Sequence, residues 1–252
     1  MILHFLYLDI VAGVVGSGIY AERALGIVLP WSWWVVVPAA TWCVYIADRL
    51  IDVRRVQDAY PTLRHGFIAR HRRVLLVSCT TVGLMAAVVG VATFPPLAVI
   101  AAVIVTLLFG LHHVFQRVHS TRFIGVTKDL NVAVTYGFAM WVIPITTGAD
   151  AMSPAALTAM AAHGCMVLGT VVAASVPDRS VDAALDQPSI GRVFGPTGSL
   201  AVMITLAVLC GACAWGLRSS DVAPVVAGWT MSLAVLPGVM RFNIPLPLRR
   251  MV

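Results

Sequence analysis

Five of the 11 acidic residues in this chain fall in two short segments: Asp48 and Asp52 in ADRLIDVRR, and Asp178, Asp182 and Asp186 in PDRSVDAALDQPSIGR. Carboxylates four residues apart lie on one face of a helix, one turn above another. Like charges at that spacing repel unless a cation bridges them or one is protonated. Hard oxygen donors with no His or Cys among them select magnesium over zinc or copper. Magnesium retains waters and takes one or two carboxylates together with phosphate oxygens, so two facing ladders suit a diphosphate held through shared ions. An ordinary charged helix end is the alternative for the first ladder, where Arg49, Arg54 and Arg55 alternate with the acids. The second ladder counts against it, because Arg179 is its only cation before Arg192.

Basic residues near the ladders are candidates for the phosphate itself: Arg49, Arg55, Lys128 and Arg192. Each has an alternative as an anchor on the positive-inside face of a membrane. His65, Arg70, His71, Arg72 and Arg73 fall in a loop long enough to cover a site mouth, where they meet either phosphate or anionic lipid. Tyr7, Tyr20, Trp42, Tyr45, Tyr136, Phe138 and Trp141 offer aromatic faces to a cation or pack in the bundle. Trp31, Trp33 and Trp34 read as an outer aromatic belt. Asp9, inside an apolar run, orients an acceptor, takes a proton or marks a polar helix start; His163 bonds a neighbouring helix or touches substrate.

These residues need a scaffold, and composition defines it. Apolar residues make up 60% of the chain, charged residues 11%, and the mean hydropathy is +0.91. Too little polar surface is left for a soluble globule of 26.9 kDa, whereas apolar runs of about 20 residues span a bilayer. Eight spans are expected, near 3–20, 25–47, 74–94, 96–115, 126–147, 155–176, 199–217 and 222–240. Phe94-Pro95-Pro96 and Arg218 to Asp221 make two tight hairpins. The first run continues into further spans and has no small-residue cleavage site, so no removable signal is expected. Tyr7, Asp9, Tyr20, Glu22 and Arg23 interrupt it, which leaves a tilted helix with a polar turn as its alternative.

Segments 48–73, 116–128, 177–197 and 241–252 hold 15 of the 17 Lys and Arg residues. Both termini and both ladders are therefore expected to face the cytoplasm, in a membrane of bacterial type. The net charge of +6 belongs to those loops and to anionic lipid or substrate; no basic stripe interleaves with aromatics, so no nucleic acid partner is expected. Cys43, Cys79, Cys165, Cys210 and Cys213 lie in apolar spans without metal spacing and read as small buried residues. One domain over 1–252 is expected, with two parallel four-helix halves, 1–119 and 120–252, that return both ladders to one membrane face.

DRLIDVRR followed by an Arg- and His-rich loop, and DRSVDAALDQPSIGRVFG later, resembles the UbiA superfamily of intramembrane prenyltransferases. The family's first motif has the form NxxxDxxxD, which Asp48 and Asp52 fit, and its second is DxxxD, which Asp178 and Asp182 fit, with Asp186 just before the turn at Ser189 to Gly191. Val44 stands where the family has asparagine, Asp129 follows Lys128 where a basic residue is frequent, and the family commonly has nine spans. The resemblance implies an all-helical bundle with a cytoplasmic cap and a hydrophobic cavity. It implies magnesium-dependent transfer from an allylic isoprenoid diphosphate to an aromatic or lipid acceptor, with pyrophosphate released. Cyclisation of farnesyl or geranylgeranyl diphosphate, known for some members, is the alternative enzyme; a lipid transporter or non-catalytic membrane protein is the alternative outside enzymes.

Overall fold

Helix is the only regular structure among the residues that the computed structural model describes, 7–55, 63–118, 122–147, 152–184 and 189–242. Nine helices occupy them: α1 Leu8–Leu25, α2 Trp31–Arg55, α3 Leu63–Arg70, α4 Arg72–Thr93, α5 Pro96–Val118, α6 Arg122–Thr147, α7 Pro154–Ala184, α8 Ile190–Gly216 and α9 Ala223–Phe242. Among the described residues five stretches are long and apolar enough to cross a membrane: Trp31–Val53, Arg72–Thr93, Asp129–Thr147, Pro154–Val176 and Ile190–Gly216. Val77, Leu84, Val88 and Val91 on α4, with Ile100 and Leu107 on α5, are exposed. Such a surface would associate in water and is solvated by lipid tails, so the chain has the build of an integral membrane protein.

Local chemistry decides where several helices begin and stop. Glu22 Oε1 accepts the Leu29 N–H at 2.7 Å, and Gly26 adopts a left-handed conformation (φ 61°) with its N–H bonded to the Glu22 carbonyl. The turn therefore occupies residues 26–30, and α2 begins at Trp31 rather than near 25. The Arg- and His-rich segment is helical rather than a loop: Leu63–Arg70 forms α3, and Arg72 and Arg73 open α4. Ile68 is wholly buried there against a cluster with Ile46, Leu50, Val53 and Leu75, which ties α3 to α2 and α4. Burial of such a side chain contributes about 1.5–3 kcal/mol.

The start of α8 also departs from expectation, at Ile190 rather than near 199. Gly195 breaks it with φ 65° and ψ −175°, a region open essentially to glycine alone, and Pro196 follows. A missing N–H is no loss at the first position of a new helical segment, so the chain restarts there.

The main core joins α1, α2, α6, α7, α8 and α9 through Trp33, Met140, Trp141, Leu206, Cys210 and Val226. Trp33 is fully buried, so it belongs to this core rather than to an outer belt; Trp31 is 66% exposed. A Cβ on Gly18 would collide with the Trp33 ring, so the missing side chain lets that ring lie against α1. α1 packs on α2, α6 and α7, and α6 also touches both α2 and α7. Among the described residues α2 and α7, the helices that carry the ladders, make no direct contact. The space between them is therefore bounded by α1 and α6.

Candidate functional site

The first ladder is helical throughout, because α2 runs to Arg55. Arg49 Nη1 donates to Asp52 Oδ2 at 3.0 Å, and Arg49 Nε lies 3.9 Å from Asp48 Oδ2. The guanidinium also sits 6.0 Å from the centre of the Tyr7 ring, which in turn tilts against Tyr45 at 5.8 Å. Arg49 was a candidate for binding phosphate; its first engagement in this structure is with the carboxylates of its own helix. The two acids differ in consequence. The Asp52 side chain is 7% exposed and held by Arg49, whereas that of Asp48 is 29% exposed and lines a groove.

That groove runs between α2, α5 and α6 and has a cavity volume of about 260 Å³. Val37, Ala40, Val44, Ala98, Ala102 and Phe138 are among its walls, Tyr45 and Tyr136 form part of one side, and Asp48 is the single carboxylate among the described residues that line it. Small residues make it: Ala98 and Ala102 on α5 face Ala40 and Thr41 on α2. An apolar slot with one carboxylate accommodates an amphiphile with its polar end at Asp48.

A second cavity, of about 480 Å³, lies between α1, α2, α6, α7 and α9. Asp9, Gly13, Gly16, Ser17 and Tyr20 line it from one face of α1, and Thr170 and Val171 line it from α7, two turns before Asp178. Val132, Tyr45 and Tyr136 belong to both cavities, so the two spaces adjoin there. Its wall is wired by hydrogen bonds. Trp141 Nε1 donates to His163 Nδ1 at 3.1 Å; an indole nitrogen only donates, so the imidazole proton resides on Nε2. That N–H donates to Ser17 Oγ at 2.9 Å. Ser17 in turn donates to the Gly13 carbonyl at 3.0 Å, and the Tyr136 hydroxyl lies 3.4 Å from Ser17 Oγ. Tyr20 donates to the Ala159 carbonyl at 3.1 Å and stacks on His163 with ring centres 5.8 Å apart.

The second ladder stands on the last turns of α7, which continues helically to Ala184 and so includes Asp178 and Asp182. Their side chains, like those of Arg55 and Lys128, lie outside the described positions, and Asp186 falls outside the described residues altogether. Among the described residues no three acids, histidines or cysteines gather as a metal site. The donors that are placed suit a hard cation: Asp48 offers carboxylate oxygen to the groove, and no His or Cys is among the described residues that line it.

The turn after α7 is held in a way the sequence did not reveal. Ile190 N–H donates to Asp129 Oδ2 at 2.7 Å, Gly191 N–H to Ser175 Oγ at 3.1 Å, and Arg192 N–H to Ser189 Oγ at 3.3 Å. Three of the first free amides of α8 are thereby satisfied by side chains from α6, α7 and the cap. A Cβ on Gly191 would collide with the Ser175 carbonyl, so only glycine permits this approach. Asp129, which replaces the basic residue expected beside Lys128, is 6% exposed and serves the α8 start. A charged residue within an apolar run was the one available signal. Arg192, in the first turn of α8, is exposed.

Of the aromatic candidates, Tyr45, Tyr136 and Phe138 line the groove, and Tyr20, Tyr45 and Tyr136 line the second cavity. Tyr7 is buried beneath Arg49, and Trp141 is buried as the donor to His163. The five cysteines are all free, and Cys210 is fully buried. No protein-family model, no characterised protein and no solved structure matches the chain.

Proposed function

We propose that this chain is a magnesium-dependent, UbiA-like prenyltransferase that joins an allylic isoprenoid diphosphate to an aromatic or lipid acceptor at the cytoplasmic face of a membrane. The support is the apolar groove between α2, α5 and α6 with Asp48 as the carboxylate that lines it among the described residues. An isoprenoid chain lies in such a groove with its diphosphate at Asp48, as an amphiphile must if its apolar part is to leave water. Asp48 and Asp52 from α2, and Asp178, Asp182 and Asp186 after the sixth apolar span, would hold magnesium. The ion would supply electrophilic stabilisation to the departing diphosphate.

The protein's own residues divide the remaining work. Arg49 donates to Asp52 within α2, while Asp48 lines the groove. Arg192, exposed at the start of α8, Arg55 at the end of α2 and Lys128 near the start of α6 add positive charge for the leaving group. The allylic carbon–oxygen bond breaks with both electrons on the diphosphate, the acceptor forms the new bond to that carbon, and the acceptor's proton leaves on a diphosphate oxygen. Tyr45 and Tyr136 stand where the groove meets the second cavity, and their ring faces shield positive charge at that junction. Two adjoining spaces favour two substrates, and so transfer over cyclisation of one.

Protein in lipid nanodiscs with farnesyl or geranylgeranyl diphosphate and magnesium tests this by pyrophosphate release. Asp48→Ala and Asp182→Ala are expected to lower turnover at least about a hundredfold with the fold retained. Full activity in EDTA would overturn the metal chemistry. A cyclic hydrocarbon or terpene alcohol formed without acceptor would establish cyclisation instead.

A further inference from the structure

We propose that the groove between α2, α5 and α6 selects a donor chain of three isoprene units, with Phe94 as the stop that sets its length. This rests on the prenyl-transfer proposal and goes beyond it, because that reaction by itself admits chains of any length. The groove is open along its middle and closed at one end. Ala40 and Val44 on α2, Ala102 and Thr106 on α5 and Phe138 on α6 line it and are exposed, so this stretch faces the bilayer. At the level of Val36 and Val37, three turns along α2 from Asp48, its walls are buried, as are Ala98, Met140 and Ile143. A chain enters sideways from the lipid and its tail meets the packed bundle.

Phe94 stands at that closed end and is held in place. It packs against the cluster that contains Val37, Ala98 and Ile143. Its ring lies beside Gly90, whose added Cβ would be 3.6 Å from Phe94 Cδ2 and 3.5 Å from Val36 Cγ1. The Phe94 N–H donates to the Gly90 carbonyl at 2.9 Å, and its backbone (φ −89°, ψ 152°) has the extended form that a following proline imposes. Pro95 and Pro96 then fix the next two φ angles. Only a stop that stays put can discriminate by length.

The distance available is set by helical rise. In the proposed reaction the allylic carbon lies beside Tyr45 and Tyr136. From Tyr45 to Val37 and Val36 the helix advances about 12–14 Å, and from Tyr136 to Ile143 about 11 Å. An extended chain advances about 1.1–1.2 Å per main-chain bond, so an isoprene unit of four such bonds spans about 4.5–5 Å. Two units, about 9 Å, leave the closed end unfilled. Three units, about 14 Å, reach Phe94, and a fourth has to turn out through the open side and lose its contacts.

Two measurements on the full-length chain in nanodiscs test this. In the first, geranyl and farnesyl diphosphates carrying a terminal diazirine are photolysed with the protein and the labelled residues mapped by mass spectrometry, which needs no turnover. The three-unit tip is expected on residues 94–98, and the two-unit tip short of them, on 40–44 or 102–106. In the second, kcat/KM for pyrophosphate release should be at least fivefold higher for farnesyl than for geranyl or geranylgeranyl diphosphate. Phe94→Ala should raise the geranylgeranyl-to-farnesyl ratio at least fivefold. Ala40→Leu, at an exposed position where the fold tolerates bulk, shortens the groove and should raise the geranyl-to-farnesyl ratio by as much. A three-unit tip that labels the second cavity at residues 13–20 would overturn the proposal, as would equal kcat/KM for the three lengths, or ratios unmoved by Ala40→Leu. If the tips label as expected while no isoprenoid diphosphate releases pyrophosphate, the groove and its stop stand and the prenyl-transfer reading falls.

Discussion

Arg49 donates to Asp52 at 3.0 Å within one turn of α2, and this pair separates two acids that look equivalent in the sequence. Asp52 is buried and depends on its counterion, while Asp48 faces the groove. Replacing Arg49 by Met should therefore destabilise the protein by about 1–3 kcal/mol, because it removes the charged hydrogen bond that Asp52 accepts from Arg49. Arg49→Met combined with Asp52→Leu should recover most of that loss. Asp48→Asn should change stability by less than about 1 kcal/mol. Thermal unfolding of the three variants in nanodiscs checks the order; an Arg49→Met protein as stable as the parent would contradict the pairing.

The α8 start makes a second, independent prediction. Gly191→Ala should cost about 1–3 kcal/mol, since the added methyl meets a backbone carbonyl that cannot rotate aside. Asp129→Ala should cost a similar amount by leaving the buried Ile190 N–H without its acceptor. Asp129→Asn, which retains a side-chain carbonyl, should lose less. Melting temperatures of the set, measured at one detergent concentration, decide it.

Glycines on α1 should respond in opposite ways. Gly18→Ala places a methyl in the Trp33 ring and should destabilise, whereas Gly16→Ala enters open space and should be neutral or stabilise by up to about 1 kcal/mol. Equal effects in unfolding assays would mean that α1 and α2 do not approach as described.

Topology is accessible to labelling. In a protein whose five native cysteines are replaced, Tyr60→Cys and Leu185→Cys should react with an impermeant maleimide from the same side of the membrane, and Ser219→Cys from the other. Reaction of positions 60 and 185 from opposite sides would remove the shared face on which the proposed diphosphate site depends.

Hydropathy and spacing made the helical architecture legible, because bilayer thickness and helical rise are fixed lengths that any span must match. The turns at Phe94–Pro96 and Arg218–Asp221 were legible for the same local reason: α4 ends at Thr93, α5 starts at Pro96, α8 ends at Gly216 and α9 starts at Ala223. Helical continuation through Asp52 and Asp182 followed from residue spacing. The kink at Gly195 had a local signal in Gly195-Pro196, yet whether helix resumed before it depended on caps from elsewhere.

What the sequence by itself determined was thus the helical and apolar character of the long elements and the register of acids along them. Which side chains meet across helices was decided only by the tertiary structure. Asp129 meets the Ile190 amide 61 residues on, Ser17 meets His163 146 residues on, and Trp33 lies in the core rather than at the membrane surface. Arg49 turned toward its own helix although a phosphate role fitted it equally well in sequence. The physical reason is range. Helix formation is set by backbone bonds four residues apart, whereas a hydrogen bond or a close glycine contact between helices needs two rigid bodies brought to within a few ångströms, and no local pattern encodes that approach.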